Sequence, residues 1–360
     1  MSDTHARADR GRIEAPTLKA IRSAAELLRA GELIGLPTET VYGLGADARN
    51  PEAVRRIFAV KGRPADHPVI VHLPDASHLE RWAAHVPRDA QALARAFWPG
   101  PLTLILRRSP DVADEVTGGQ DSVGLRVPAH SIALAVLQVF GSGIAAPSAN
   151  RFGRISPTTA AHVRDELGDD VAMVIDGGQC AFGIESTIVD LTRGTPVILR
   201  PGRITAEDIA RVIGRRPALA DETTAASQDE AEDEGEGEGA ASVPRAPGTL
   251  AAHYAPRTPL RLLPASVLAG EARRLLDAGS RVAVLACAPA IEAGEALIWR
   301  TASADPAQYG HQLYATLREL DTLGAAVILV EAPPASPAWN AIADRLGRAA
   351  AGSRDGLEAG

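Results

Sequence analysis

Cysteine is almost missing from this chain of 360 residues, with only Cys180 and Cys287 present. Two thiols so far apart exclude a disulfide scaffold and any cysteine-rich zinc or iron–sulfur site. A reducing cytoplasm is the expected compartment. Aromatic residues make up only 4%. None interleave with Lys/Arg clusters, which weighs against a single-stranded nucleic-acid groove. No apolar run reaches about 18 residues, so no membrane span is expected. The N-terminal MSDTHARADRGR is polar and charged, unlike the apolar centre of a secretory signal. The motifs G-x-x-x-x-G-K-[ST], G-x-S-x-G, H-E-x-x-H and C-x-x-C do not occur. A P-loop, a nucleophile elbow and a zincin helix are therefore excluded.

Acidic residues are present in excess, but in one place. Nine fall between 217 and 243, where there is no Lys or Arg, and the whole chain carries a net charge of -8. Without that stretch the remainder is close to neutral, so an anionic ligand meets no general repulsion. The same stretch is built from Ala, Glu, Asp, Gly and Ser. It has too little apolar surface to offset the entropy of ordering, and it reads as a flexible linker.

Strand-like runs alternate with helical patterns before the linker. The runs are residues 32–37, 68–73, 102–107, 122–128, 143–148, 171–176, 186–192 and 196–201, β-branched and bounded by Gly, Pro or Asp. Helices are expected at 17–30, 51–60, 88–97, 130–140, 158–167 and 205–213. Thr17 suits the start of the first and Gly31 its end, while Asn50-Pro51 and Ser156-Pro157 both read as a cap followed by an early helical proline. After the linker, strands at 260–264, 281–287, 296–301 and 325–332 alternate with helices at 265–278, 306–323 and 338–350. Tyr309, Leu313, Leu317 and Leu320 share one helical face. Layered α/β architecture follows, with a small, mostly parallel second sheet. No G-x-G-x-x-G opens a helix there, so a dinucleotide site is unsupported.

The chemistry-bearing residues cluster at strand ends. The clusters are LPTETVYGLGAD (36–47), KGRPADHPVIVH (61–72), WPGPLT (98–103), SVGLRVP (122–128), APSANRFGRISPT (146–158), GIESTIVD (183–190) and ILRPGRIT (198–205). Lys61 and Arg63, two apart, would point the same way in an extended or looping segment. They read either as a solvated loop pair or as cations for an anion. Arg126 interrupts an apolar strand, and such a charge is costly unless paired. A structural salt bridge or a bidentate carboxylate would satisfy it. Ser148 and Asn150 suit a backbone-satisfying turn as well as a ligand contact. Tyr254, just before the second domain, reads as a residue that packs the seam between domains.

Taken in order, these seven clusters resemble the YrdC-domain family, the threonylcarbamoyl-AMP synthases, in their longer two-domain form. The resemblance continues through APGTLAAHYAPRTPL (246–260) to WNAIADRLGRAA (339–350). It implies a YrdC-like twisted open mixed sheet with flanking helices over 12–214. A linker with a lid segment would occupy 215–259, and a smaller Rossmann-like α/β domain 260–350. It implies synthesis of threonylcarbamoyl-adenylate from L-threonine, bicarbonate and ATP, with Mg²⁺ accompanying ATP and pyrophosphate leaving. A downstream tRNA threonylcarbamoyl transferase would use the product, and a weak tRNA contact is part of the same expectation. By resemblance, Lys61 and Arg63 are catalytic and meet the triphosphate. Thr40, His72, Arg126, Ala146 and Ser186 meet L-threonine, with Arg126 on its carboxylate. His67, Ser122, Ser148, Asn150, Ser156, Arg200 and Tyr254 meet ATP. His67 departs from the Asn common in relatives, which would make its contact sensitive to pH. Glu39 and Glu185 stand as candidate helpers of Mg²⁺ or of the threonine ammonium, with neither assigned. Two other readings stand beside this one. One is a non-enzymatic RNA-binding module, disfavoured by the near-neutral core. The other is a hydrogenase-maturation carbamoyl-adenylate domain, whose cysteine pairs are absent here.

Overall fold

The computed structural model describes residues 11–220 and 243–358. The acidic stretch, and with it the expectation of a flexible linker, lies almost wholly outside the described residues. The described residues form two sheets. The first has eleven strands: β1 (Arg12–Glu14), β2 (Ile34–Leu36), β3 (Gly43–Asp47), β4 (Ile70–His72), β5 (Leu102–Arg107), β6 (Ser122–Arg126), β7 (Ile144–Ala145), β8 (Met173–Ile175), β9 (Thr187–Asp190), β10 (Val197–Arg200) and β11 (Ala218–Leu219). Their order is β1-β8-β2-β3-β7-β4-β6-β5-β9-β10-β11. Parallel and antiparallel pairs mix, so β4 runs parallel to β6 while β5 and β6 are antiparallel.

Helices cover both faces. Leu18–Arg29 begins where the Thr17 side chain accepts the Ala20 N–H. Its Ile21, Ala24 and Leu28 bury against Val136, Leu137 and Phe140 of Ser131–Phe140. Helix Pro51–Lys61 starts at the Asn50 cap and ends at a left-handed Gly62. Ala53, Ile57 and Lys61 recur at helical spacing, so the face that enters the core also carries a lysine inward. The expected cap at Ser156-Pro157 is not one. That helix begins at Ala160 behind Thr159, because the Ser156 hydroxyl is engaged elsewhere, on Glu185.

The second sheet has β12 (Leu260–Leu263), β13 (Val282–Ala286), β14 (Leu297–Thr301) and β15 (Val327–Glu331) in the order β12-β15-β13-β14. Every pair is parallel, and helices Ala265–Asp277, Pro306–Asp321 and Asn340–Glu358 accompany them. Tyr309, Leu313, Leu317 and Leu320 are all buried, as their spacing predicts. The two sheets are joined by one apolar cluster. It takes Val41, Ile155 and Ile184 from the first half and Leu313, Leu317, Ile342 and Leu346 from the second. Contact is close at Gly183, where a Cβ would stand 2.5 Å from the His311 carbonyl oxygen. No described helix is long and apolar enough to cross a membrane.

Candidate active site

Strand ends converge along one edge of the first sheet. β4 ends at His72, β6 at Arg126 and β10 at Arg200, while Ser186 immediately precedes β9. Between β6 and β10 lie three strand spacings, or about 14 Å. A cavity at this edge is lined by Thr40, Arg63, His72, Arg126, Ala146, Ser148, Ser186, Arg200 and Tyr254, all singled out from the sequence. Thr38, Glu185, Pro247, Gly248 and His253 complete much of the wall.

Arg126 occupies one end. It is buried, and its charge is answered by Glu39, with Nη2 2.5 Å from Oε1. Its Nη1 donates to Thr40 Oγ1 at 3.0 Å and its Nε to the Gly100 carbonyl at 3.2 Å. The salt bridge anticipated from sequence is therefore real, and guanidinium N–H groups are still left over for a second carboxylate. His72 pairs with Arg126 across the β4–β6 register. Burial, reinforced by Arg126, drives the His72 imidazole down to about 3, so it is neutral at physiological pH. Its Nδ1 has no protein partner.

Arg200 and Arg63 occupy the other end. Arg200 donates to Ser186 O and Oγ and, through Nη1, to Pro247 O at 2.8 Å. Arg63 donates to the Pro68 carbonyl at 2.7 Å, and its buried Nε is unpartnered. Burial lowers Arg63 to about 10, which leaves it cationic near neutrality. The expectation that Lys61 and Arg63 share an extended or looping segment is corrected here. Lys61 closes a helix, Gly62 turns the chain, and only Arg63 reaches the cavity wall. The Lys61 ammonium donates to the Ser148 and Asn150 carbonyls. It therefore sits behind the PSAN loop, and burial there holds its pKa well below the usual lysine range.

Other singled-out residues lie off the wall. Asn150 binds the Arg151 and Arg154 carbonyls through Nδ2, with Oδ1 unpartnered. Ser156 donates to Glu185 Oε1 at 2.6 Å. His67 packs edge-on against Phe152 at 5.5 Å. Ser122 is at the opposite end of β6 from Arg126, in a separate groove with Arg107 and Thr192.

The segment 246–255 crosses the cavity. Tyr254 is fully buried, with φ +63, the only non-glycine positive φ among the described residues. Its ring meets His253 at 4.1 Å and stacks on Tyr314 at 5.7 Å. Gly248 has φ +75, and a Cβ there would stand 2.1 Å from the Tyr254 hydroxyl. Only glycine lets the chain pass so close.

Two family models match the chain. One, described as "Telomere recombination", covers residues 26–202. The other, described as "Threonylcarbamoyl-AMP synthase, C-terminal domain", covers 204–351. A threonylcarbamoyl-AMP synthase from Pyrococcus abyssi is 39% identical, with 91% of this chain and 93% of the relative aligned. The chain belongs to the threonylcarbamoyl-AMP synthase family. A Bacillus subtilis member is also 39% identical, over 92% of this chain and 93% of that one. The crystal structure of P. abyssi Sua5 complexed with L-threonine superposes with a TM-score of 0.83 at 35% identity. It covers 95% of this chain and 98% of its own. The mixed sheet with flanking helices and the small parallel second sheet are the architecture of this family.

Sequence reasoning left several wall and support residues unassigned. Glu39 and Glu185 were visible as acids inside motifs, yet their arginine partners are far off in sequence. Arg345 had a readable signal, a charge on the apolar helix face made by Ile342, Leu346 and Ala349.

Proposed function

We propose that the chain makes L-threonylcarbamoyladenylate from L-threonine, bicarbonate and ATP, releasing pyrophosphate, and so supplies the group carried to tRNA threonylcarbamoyladenosine. The observation that supports this best is the separation of charge along the cavity. Arg126 with Thr40 and His72 stands at one end, and Arg63 with Arg200 at the other. The threonine nitrogen, unprotonated, takes up the carbon of bicarbonate and loses water to give a carbamate. A carbamate oxygen attacks the α-phosphorus of ATP. The Pα–O bond to the β-phosphate breaks, and pyrophosphate carries off the electron pair.

No protein nucleophile enters this scheme, so catalysis is positioning and electrostatics. Arg126 takes the threonine carboxylate, with its other donors held by Glu39, Thr40 and Gly100. Neutral His72 and the Thr40 and Ser186 hydroxyls contact the remainder of the amino acid, beside Ala146. Arg63 and Arg200 neutralise the triphosphate. Lys61 acts from behind, fixing the Ser148–Asn150 loop against which the nucleotide lies. Ser156 acts on Glu185, and His67 borders the nucleotide's path at Phe152. Ser122, in its separate groove, keeps only a distant part in nucleotide binding. Mg²⁺ enters with ATP as part of the substrate, held by phosphate oxygens and water. Glu39 and Glu185 are both engaged by arginines. Tyr254 and its segment close the site, because the carbamate and the mixed anhydride both decompose in water. A tRNA threonylcarbamoyl transferase consumes the product in the same compartment, the cytoplasm, with at most a weak tRNA contact on this chain.

The test is pyrophosphate release from ATP. Release that requires both L-threonine and bicarbonate is the expected result. Release indifferent to either one would overturn the reading, and tight RNA binding without turnover would favour an RNA-binding module.

A further inference from the structure

The geometry points to Arg345, on the C-terminal helix, as a positioning residue for the catalytic cavity, acting through Glu185 and Tyr254; this rests on the synthase reading. Its side chain is entirely buried although it belongs to the half of the chain that carries no cavity wall. Nε donates to Glu185 Oε2 at 2.8 Å, and Nη2 to the Pro201 carbonyl at 3.1 Å. The guanidinium carbon lies 5.3 Å from the centre of the Tyr254 ring. One cation from the second half thus touches three segments of the first site. Glu185 and Tyr254 line the cavity, and Pro201 follows Arg200.

Glu185 accepts three hydrogen bonds of the roughly four that a carboxylate can take. Ser156 takes Oε1, while Tyr314 and Arg345 share Oε2, with Tyr314 at 2.9 Å. A carboxylate so engaged has little left to offer a ligand. Its use is to receive Arg345. Without that cation it would be a buried negative charge beside the place where a triphosphate lies, which is costly and repulsive. With it, the docked second half both cancels the charge and packs a guanidinium and the Tyr314 ring against Tyr254. Tyr254 needs such support, since a positive φ at a tyrosine is strained.

Burial pushes the Glu185 carboxyl up, but Arg345, Arg200 and Ser156 outweigh it and hold it at about 2. Removing Arg345 takes away the strongest of the charges that hold the carboxyl down, so its folded pKa rises from about 2. A carboxyl depressed in the folded state contributes stability that grows as pH rises, so the variant loses part of what the wild type gains above about pH 2.

The experiment uses the full chain with Arg345→Met, Arg345→Lys and Arg345→Met/Glu185→Gln. In Arg345→Met, kcat should fall about tenfold or more, with KM for threonine changed far less, since Arg126 is untouched. Its Tm relative to wild type, measured without substrate, should fall with rising pH above about 3. The double variant should flatten that slope and recover part of kcat. Arg345→Lys should keep the slope flat, because a cation remains, yet lose several-fold in kcat because the planar fork is lost. If Arg345→Met does not fold, the lysine variant carries the test. Wild-type kcat in the variants that fold would overturn the proposal, as would a Tm slope in Arg345→Met that Glu185→Gln leaves unchanged. Failure of the synthase reading is distinguished by the wild-type protein, which would then show no threonine-dependent release. The Tm arm reads the Arg345–Glu185 coupling in either case.

Discussion

Arg126 stands in a strand that is otherwise apolar, and its burial is made tolerable by Glu39 and Thr40. This arrangement predicts the effect of removing it. Arg126→Ala should weaken L-threonine binding by about 2–5 kcal/mol, because a buried carboxylate is left unpaired. ATP binding should change little. Calorimetric titration with each ligand separates the two, and equal losses for both would mean that Arg126 is only structural. The histidines give a pH prediction. Burial, the largest cause at both, lowers His72 and His253 to about 3 from 6.5. For each, the unfolded chain takes up a proton that the folded chain refuses. Stability is therefore present above about pH 6.5 and declines as pH falls toward 3. His253→Gln should narrow the drop in urea midpoint between about pH 7 and pH 5. An unchanged drop would show that His253 is protonated in the folded state. The charge on Arg126 was legible as a problem in the sequence. The partner that solves it, 87 residues away, was not, because side-chain pairing across a sheet leaves no local trace.

At the scale of elements, periodicity located most helices and strands, and the exceptions have physical causes. β3 is GLGAD, with no β-branched residue, and pairing with β2 and β7 supplies what its propensity lacks. β1 and β11 are short and stand at the sheet's two edges. Ser156-Pro157 has the local chemistry of a helix start, but a buried carboxylate takes the hydroxyl instead. The lid segment shows the same override. Its prolines and glycine could be read as a linker, whereas its course over the cavity depends on Arg200 holding Pro247 and on Gly248 clearing Tyr254. Gly248→Ala puts a methyl group into the Tyr254 hydroxyl and strains a left-handed residue. The expected cost is about 1–2 kcal/mol in stability, with the tyrosine displaced. More of the ATP consumed should appear as free AMP in place of the adenylate, because water reaches the anhydride. Chromatography of the nucleotide products checks this, and an unaltered product ratio would return Tyr254 to a packing role.

At the scale of the molecule, the two halves are held together by apolar contact and by a small number of buried polar bonds into the site. Ile184 lies where both meet. It is buried in the shared cluster, immediately before Glu185, with its Cδ1 methyl and Cγ1 methylene approaching Gly310 of the second half. Neither sheet needs Ile184 for its own core, so a charge there should separate the halves without dismantling either one. Ile184→Asp buries an unpaired carboxylate at the seam and should cost about 3–5 kcal/mol of docking. Relative motion is the default for domains whose interface is weakened. Calorimetry should then resolve two unfolding transitions where the wild type gives one. Adenylate synthesis should fall in parallel, because undocking removes Arg345 and Tyr314 from Glu185 and leaves Tyr254 unsupported. Circular dichroism at low temperature should remain that of the wild type, since both sheets persist. A variant that unfolds in one transition and retains full synthesis would mean that the halves are coupled by contacts other than this seam.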